Sequence, residues 1–167
     1  IRTILKRDFR VEIDARDEYT PGWKFNEWEM KGVPLRLEIW PKDLAREQVV
    51  LVRRDSGEKI AVKEEKLGET VKKLLDKIQE NLLGKAKKFL QENIREVSDY
   101  SEFKEVIEKK KGLIKAQWCG NKDCEDKIKE ETKASIRCIP FEQEEVSGKC
   151  IYCGEESSTL VYFARAY

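Results

Sequence analysis

The chain of 167 residues contains no histidine. That absence removes the commonest general base and every Ser–His or Cys–His nucleophile pair, so an independent hydrolytic centre is not expected. Long apolar runs are missing too. Nothing approaches the roughly 20 residues that span a bilayer, and no signal-peptide pattern precedes the first elements, which leads us to expect a cytoplasmic protein without membrane contact. An excess of either charge is also absent, since 34 Lys and Arg stand against 33 Asp and Glu for a net +1. Any attraction to nucleic acid must then come from local arrangement and not from bulk charge. There is no initiator Met, and Ile1 begins in mid-pattern, so the chain reads as a piece cut from a longer one. Five cysteines remain to be explained, and in a reducing compartment they are expected as metal ligands or buried apolar residues, not disulfides.

Hydrophobic periodicity divides the chain into two α/β parts. Phe9, Val11 and Ile13 alternate with charged neighbours and predict a half-buried strand. Pro21 and Gly22 open a helix that carries Trp23, Phe25, Trp28 and Met30 and stops at Gly32, with Trp28 expected in the core. Leu35, Leu37 and Ile39 predict a strand that Pro41 ends. Residues 48–52 read as a buried strand, turned by Asp55-Ser56-Gly57 into a hairpin with residues 59–63. From Glu69 an apolar stripe through Val71, Leu74, Leu75, Ile78, Leu82, Ala86, Phe89, Leu90 and Ile94 predicts one long amphipathic helix. Ser98-Asp99 caps a further helix that ends at Gly112. Strands are then expected over 113–118, 134–139 and 159–166, with a short helix at 125–131.

The cysteines form two close pairs. Four residues separate Cys119 from Cys124 and two separate Cys150 from Cys153. Two such loops can bend four thiolates onto one point, the pattern of a closed structural zinc site. Gly154 supplies the positive φ that lets backbone N–H groups turn towards sulfur. Cys124, near a helix start, gains from the positive end of the helix dipole. Inert thiols and a redox pair at Cys150 and Cys153 remain open on spacing alone. Cys138 has no close partner and is expected as a small buried residue on its strand.

Residues 17–36, reading Asp-Glu-Tyr-Thr-Pro-Gly-Trp-Lys-Phe-Asn-Glu-Trp-Glu-Met-Lys-Gly-Val-Pro-Leu-Arg, strongly resemble the anticodon-binding domain of prolyl-tRNA synthetases. Pro41-Lys42-Asp43-Leu44 and residues 53–59 continue the likeness. The second half, with its cysteine spacing, the run Gly148 to Gly154 and the terminal Tyr167, resembles the zinc domain of the archaeal or eukaryotic-like class II branch. The resemblance implies an α/β fold: a mixed sheet with flanking helices, truncated at its N-terminus, over residues 1–66; linking helices over 67–111; and a small α/β zinc-binding domain over 112–167. It implies recognition of tRNA(Pro) through the two guanines of its anticodon, with Glu29 and Arg36 at the guanine-reading positions. Lys42 and Lys59 match positions that touch the anticodon bases or backbone.

That assignment suits the side chains. Unstacked guanine offers N–H donors on one edge and acceptors on another, so a carboxylate and a guanidinium fork can each read one. Arg53 and Arg54 add candidates for phosphate attraction. ATP and magnesium would belong to a catalytic domain that the chain lacks, and the parent enzyme is expected to be a homodimer. In the parent, the Tyr167 carboxylate is expected to approach that catalytic domain. Without a first strand and helix known in the family, the sheet would expose an edge, and the isolated chain would be expected to fold incompletely or associate. The rival readings are a free-standing zinc-stabilised protein-interaction module and a thiol oxidoreductase.

Overall fold

A computed structural model describes residues 1–143 and 147–165. The backbone runs α1 (Arg2–Leu5), α2 (Pro21–Met30), β1 (Leu35–Glu38), α3 (Pro41–Leu44), β2 (Gln48–Arg53), β3 (Lys59–Lys63) and α4 (Leu67–Glu92). It continues through β4 (Ile94–Glu96), α5 (Tyr100–Lys109), β5 (Leu113–Trp118), α6 (Lys122–Thr132), β6 (Ala134–Cys138), β7 (Gly148–Lys149), β8 (Glu156–Ser157) and β9 (Thr159–Arg165). These elements form two compact units, Ile1–Ala86 and Lys87–Tyr167. The terminal tyrosine lies outside the described residues, as does residue 166 of the last expected strand.

In the first unit β1, β2 and β3 form an antiparallel sheet in that order. Register puts Leu37 opposite Leu51 and Leu51 opposite Ile60, so one face is aliphatic. Val49, Leu51 and Val62 on that face pack with Leu67, Val71 and Leu74 from α4 and with Leu5. The other face carries Arg36 opposite Val52 and Val52 opposite Lys59, and it is the face that holds the site. The turn from β2 to β3 is held by Arg53, whose fork donates to both oxygens of Asp55 at 3.0 and 2.8 Å and to Glu58 at 3.0 Å. Asn81 of α4 also donates to Asp55, which ties the hairpin to the helix.

Residues 9–13 do not form a strand. Phe9 and Val11 do turn towards the aliphatic core, so the alternation is present in the packing, but among the described residues no backbone ladder runs beside them. A strand needs a hydrogen-bonded neighbour as well as a period of two. Trp28 is likewise not core, for α2 buries none of its residues. Its indole N–H donates to Asp14 at 2.9 Å, and the Lys31 ammonium lies 4.6 Å from the ring centroid. The long helix ends at Glu92, so Ile94 starts a strand instead of closing the stripe. Only Val71, Leu74 and Ile78 of the predicted stripe are buried, together with Leu67 at the helix start, while Leu82, Phe89 and Leu90 are exposed.

The second unit has a four-stranded sheet in the order β4-β5-β9-β6. The β4–α5–β5 passage is a parallel crossover, and β9 lies antiparallel to both β5 and β6. Asp99 caps α5, its side chain accepting from the Glu102 N–H at 2.9 Å. Gly112 turns the chain out of that helix at φ +104°, where a Cβ would sit 2.5 Å from the Asn93 carbonyl oxygen. Phe103 of α5 meets Phe163 of β9 edge-on, with ring centroids 5.2 Å apart, at the centre of a core that includes Ile114, Ile128 and Val161.

Candidate nucleic-acid interface and metal centre

The polar face of the first sheet is built by a sharp reversal. α2 ends at Met30, Gly32 takes φ +84°, and the chain returns as β1, so Arg36 comes back beneath the last turn of the helix. Arg36 Nη1 then donates to Glu29 Oε1 at 2.5 Å, and its guanidinium carbon lies 4.0 Å from the centroid of Phe25. Two residues along the same strand face, Glu38 accepts from Arg36 Nε at 2.9 Å. The second oxygen of Glu38 faces Trp40 Nε1 at 3.4 Å and Lys59 Nζ at 3.7 Å. Arg36 and Lys59 are thus brought together by one carboxylate, Glu38, which residue type and spacing did not single out, while Glu29 joins them through Arg36.

Glu38 is only 6% exposed. A buried charge is retained where hydrogen bonds and paired charges replace its water shell, and here two donors and the nearby Lys59 ammonium do so. Opposite charges two positions apart on one strand face were the available signal, since such residues point the same way. Lys42 is exposed on α3 and has no ion-pair partner among the described residues. Arg53 is not free for phosphate, because the hairpin carboxylates occupy its fork. Arg54 is exposed and keeps that option.

A second polar knot ties the loop before α2 to that helix. Arg16 grips Asp14 at 2.8 and 2.6 Å and Glu27 at 2.5 Å. These bonds, with that from Trp28, hold the Asp14 carboxyl well below the usual carboxylate range despite partial burial. Tyr19 and Trp23 stack beside Arg16 with centroids 3.9 Å apart.

In the second unit Cys119 follows β5, Cys124 is the third residue of α6, and Cys150 and Cys153 lie in the turn between β7 and β8. The four sulfurs lie within 4.8 Å of one another, with Cys119 to Cys124 at 3.6 Å and Cys119 to Cys153 at 3.7 Å. A tetrahedron with Zn–S bonds of about 2.3 Å requires sulfurs about 3.8 Å apart, so this cluster fits a metal of that size. Four sulfurs close every position, leaving none for a substrate. Gly154, at φ +75°, lets its N–H reach the Cys150 carbonyl at 2.9 Å, while the Cys150 N–H bonds Glu155 at 2.8 Å.

Burial works to raise the Cys150 thiol, but N–H groups of Cys153, Tyr152 and Cys119 outweigh it and bring it down to about 7. Burial pushes Cys124 far above the ordinary thiol range. Such a group binds as thiolate only where a cation displaces its proton. Cys138 is exposed, against expectation. It sits at the irregular end of edge strand β6, where the register slips between Ile136 and Cys138, and its side chain leaves the core.

Among the described residues no helix is long and apolar enough to cross a membrane. Comparison with known families matches residues 1–74 to the anticodon binding domain and residues 100–167 to the C-terminal domain of prolyl-tRNA synthetase. The proline–tRNA ligase of Natranaerobius thermophilus is 54% identical over 165 residues, which is 98% of this chain and 34% of that protein. That of Alkaliphilus oremlandii is 53% identical over 167 residues, 100% of the chain and 35% of the relative. Proline–tRNA ligase 2 of Clostridioides difficile is 50% identical over 157 residues, covering 94% of the chain and 33% of the relative. The chain therefore spans about a third of the length of these relatives. With an anticodon-binding domain, a prolyl-tRNA synthetase C-terminal domain and relatives at half identity along its whole length, the chain belongs to the prolyl-tRNA synthetase family.

Proposed function

We propose that the chain recognises tRNA(Pro) through the guanines of its anticodon, with Glu29 and Arg36 reading base edges and Lys42 and Lys59 attracting the backbone. The observation that carries this reading is the cluster around Arg36. Its fork is aimed by Glu38 and by the face of Phe25, while its contact with Glu29 is half-exposed. An incoming guanine can replace that contact on both sides. Its O6 and N7 accept from Arg36, and its N–H donors face the freed Glu29. The exposed pair is weak in water, so breaking it costs little.

Within a parent enzyme this chain would select the tRNA, while joining proline to it with ATP and magnesium would fall to a catalytic domain and not to these residues. Zinc at Cys119, Cys124, Cys150 and Cys153 would be structural, because the closed sulfur set leaves no position for chemistry. Thiol redox chemistry is disfavoured by the same arrangement: Cys150 and Cys153 both converge with Cys119 and Cys124 and do not stand apart as a pair.

Binding of anticodon stem–loop RNAs at two salt concentrations tests the assignment. Arg36→Ala and Glu29→Ala are each expected to weaken the native RNA by about 1–3 kcal/mol and to add little when their own guanine is replaced. Lys42→Ala is expected to weaken all sequences alike and to reduce the salt slope. Equal losses for every variant on every anticodon would remove base reading from Glu29 and Arg36.

A further inference from the structure

Resting on that anticodon reading, we infer that Trp40 is a base-binding residue, a stacking wall for one of the unpaired guanines beside the Arg36 fork. Trp40 is 47% exposed, which leaves apolar ring surface in water. Exposed tryptophans unconnected with binding have no need of an anchor, but this one is held at both ends. Its backbone N–H donates to Asp43 Oδ2 at 3.2 Å, and the other Asp43 oxygen accepts from Gln48 at 3.0 Å. Its indole N–H lies 3.4 Å from Glu38 Oε2. Both carboxylates are buried, at 8% for Asp43 and 6% for Glu38. One buried acid thus fixes the backbone of Trp40, as the cap of α3, and the other meets the edge of a ring that itself remains in solvent.

The ring is also in the right company. Arg36, Glu38 and Trp40 are spaced by two along extended backbone, so they share one face of the chain. Arg36 Nε and Trp40 Nε1 approach the two oxygens of a single carboxylate, at 2.9 and 3.4 Å, which sets the guanidinium fork and the indole on either side of Glu38. A guanine whose edge meets Arg36 can therefore lay its face against Trp40. Lys59, on the second oxygen of the same carboxylate, and Lys42, two residues beyond Trp40, place positive charge where the adjoining phosphates would run. Stacking is tolerant of base identity, so Trp40 adds affinity while Arg36 and Glu29 supply the choice of guanine.

The experiment measures binding of a synthetic anticodon stem–loop RNA to this chain and to Trp40→Ala, Trp40→Phe and Arg36→Ala. Further RNAs carry an abasic site at the first or the second guanine. Trp40→Ala is expected to bind the native RNA about ten-fold more weakly. Trp40→Phe should recover much of that loss, and the penalty should vanish on one of the two abasic RNAs. The ring is half-exposed and lies outside the apolar core, so its removal spares the fold, and the Phe variant retains an aromatic ring in any case. Unchanged binding by Trp40→Ala, or an equal penalty on native and both abasic RNAs, overturns the inference. If Arg36→Ala loses its guanine preference while Trp40→Ala does not weaken binding, Trp40 alone is wrong. If the unmodified chain fails to distinguish native from abasic RNA, the anticodon reading falls and Trp40 with it.

Discussion

If the four cysteines hold zinc as proposed, chelating it should lower the melting temperature of the second unit by about 15–30 °C and leave the first unit nearly untouched. The reason lies in what the cysteines tie together. Cys119 extends central strand β5, Cys124 sits on α6, and Cys150 and Cys153 flank Ile151, which is buried in the same core as Phe103 and Phe163. A metal there closes strand, helix and turn onto one point. At a free zinc concentration a thousand times the dissociation constant, linkage contributes about 4.1 kcal/mol. For a unit of about 80 residues, each kcal/mol moves the midpoint by about 4–8 °C, so chelation should shift it by about 15–30 °C. Calorimetry with and without chelator, paired with metal analysis, reads both quantities. Cys124→Ser should reproduce the chelated melt with zinc lost, whereas Cys138→Ser should keep one zinc and the original melt, because Cys138 is exposed and is not one of the four clustered sulfurs. A chelated protein that melts unchanged, or a Cys138→Ser variant that loses zinc, would refute the reasoning.

Acid should act on the first unit through Asp55. Hydrogen bonds from Arg53 hold its carboxyl at about 2, against the opposing effect of burial and with help from Asn81. A carboxyl depressed in the folded state stabilises fully above its unfolded value of about 4, and that contribution is lost as pH falls through about 2. Melting of the unmodified chain should therefore drop between those limits, and its advantage over Asp55→Asn should shrink over the same range; a constant gap would exclude Asp55 as the cause. Gly112→Ala should destabilise the second unit by about 1–3 kcal/mol in a denaturant titration, since φ is +104° and the added Cβ meets the Asn93 carbonyl at 2.5 Å. An unchanged midpoint there would mean that the backbone relaxes freely at that turn.

What could be read from the sequence was governed by local rules. Capping by Asp99, the hairpin at residues 55–57 and the pairing of cysteines follow from residue type and spacing, and each is present. Most of the misses concern neighbours distant in sequence. Residues 9–13 have the period of a strand, but no described backbone pairs with them, and Cys138 has the company of apolar residues but sits on an edge where the register slips. Trp28 shows how an aromatic at helical spacing can serve a polar knot, its N–H spent on Asp14.

Glu38 is the most instructive of these misses. Alternation marks it as a solvent-facing residue of β1, yet register across β2 puts Lys59 within its reach, Arg36 stands two residues away on the same face, and the return from α2 sets Glu29 on Arg36. The pattern identifies a face but not what stands above it. A carboxylate between an arginine, a lysine and an indole becomes buried by its partners and not by its own polarity. The consequence for recognition is specific. With Glu38 bonded to Nε, Arg36 presents its terminal nitrogens outward, and of its two carboxylate partners only the exposed one, Glu29, can be exchanged for a base without leaving a buried charge unpaired.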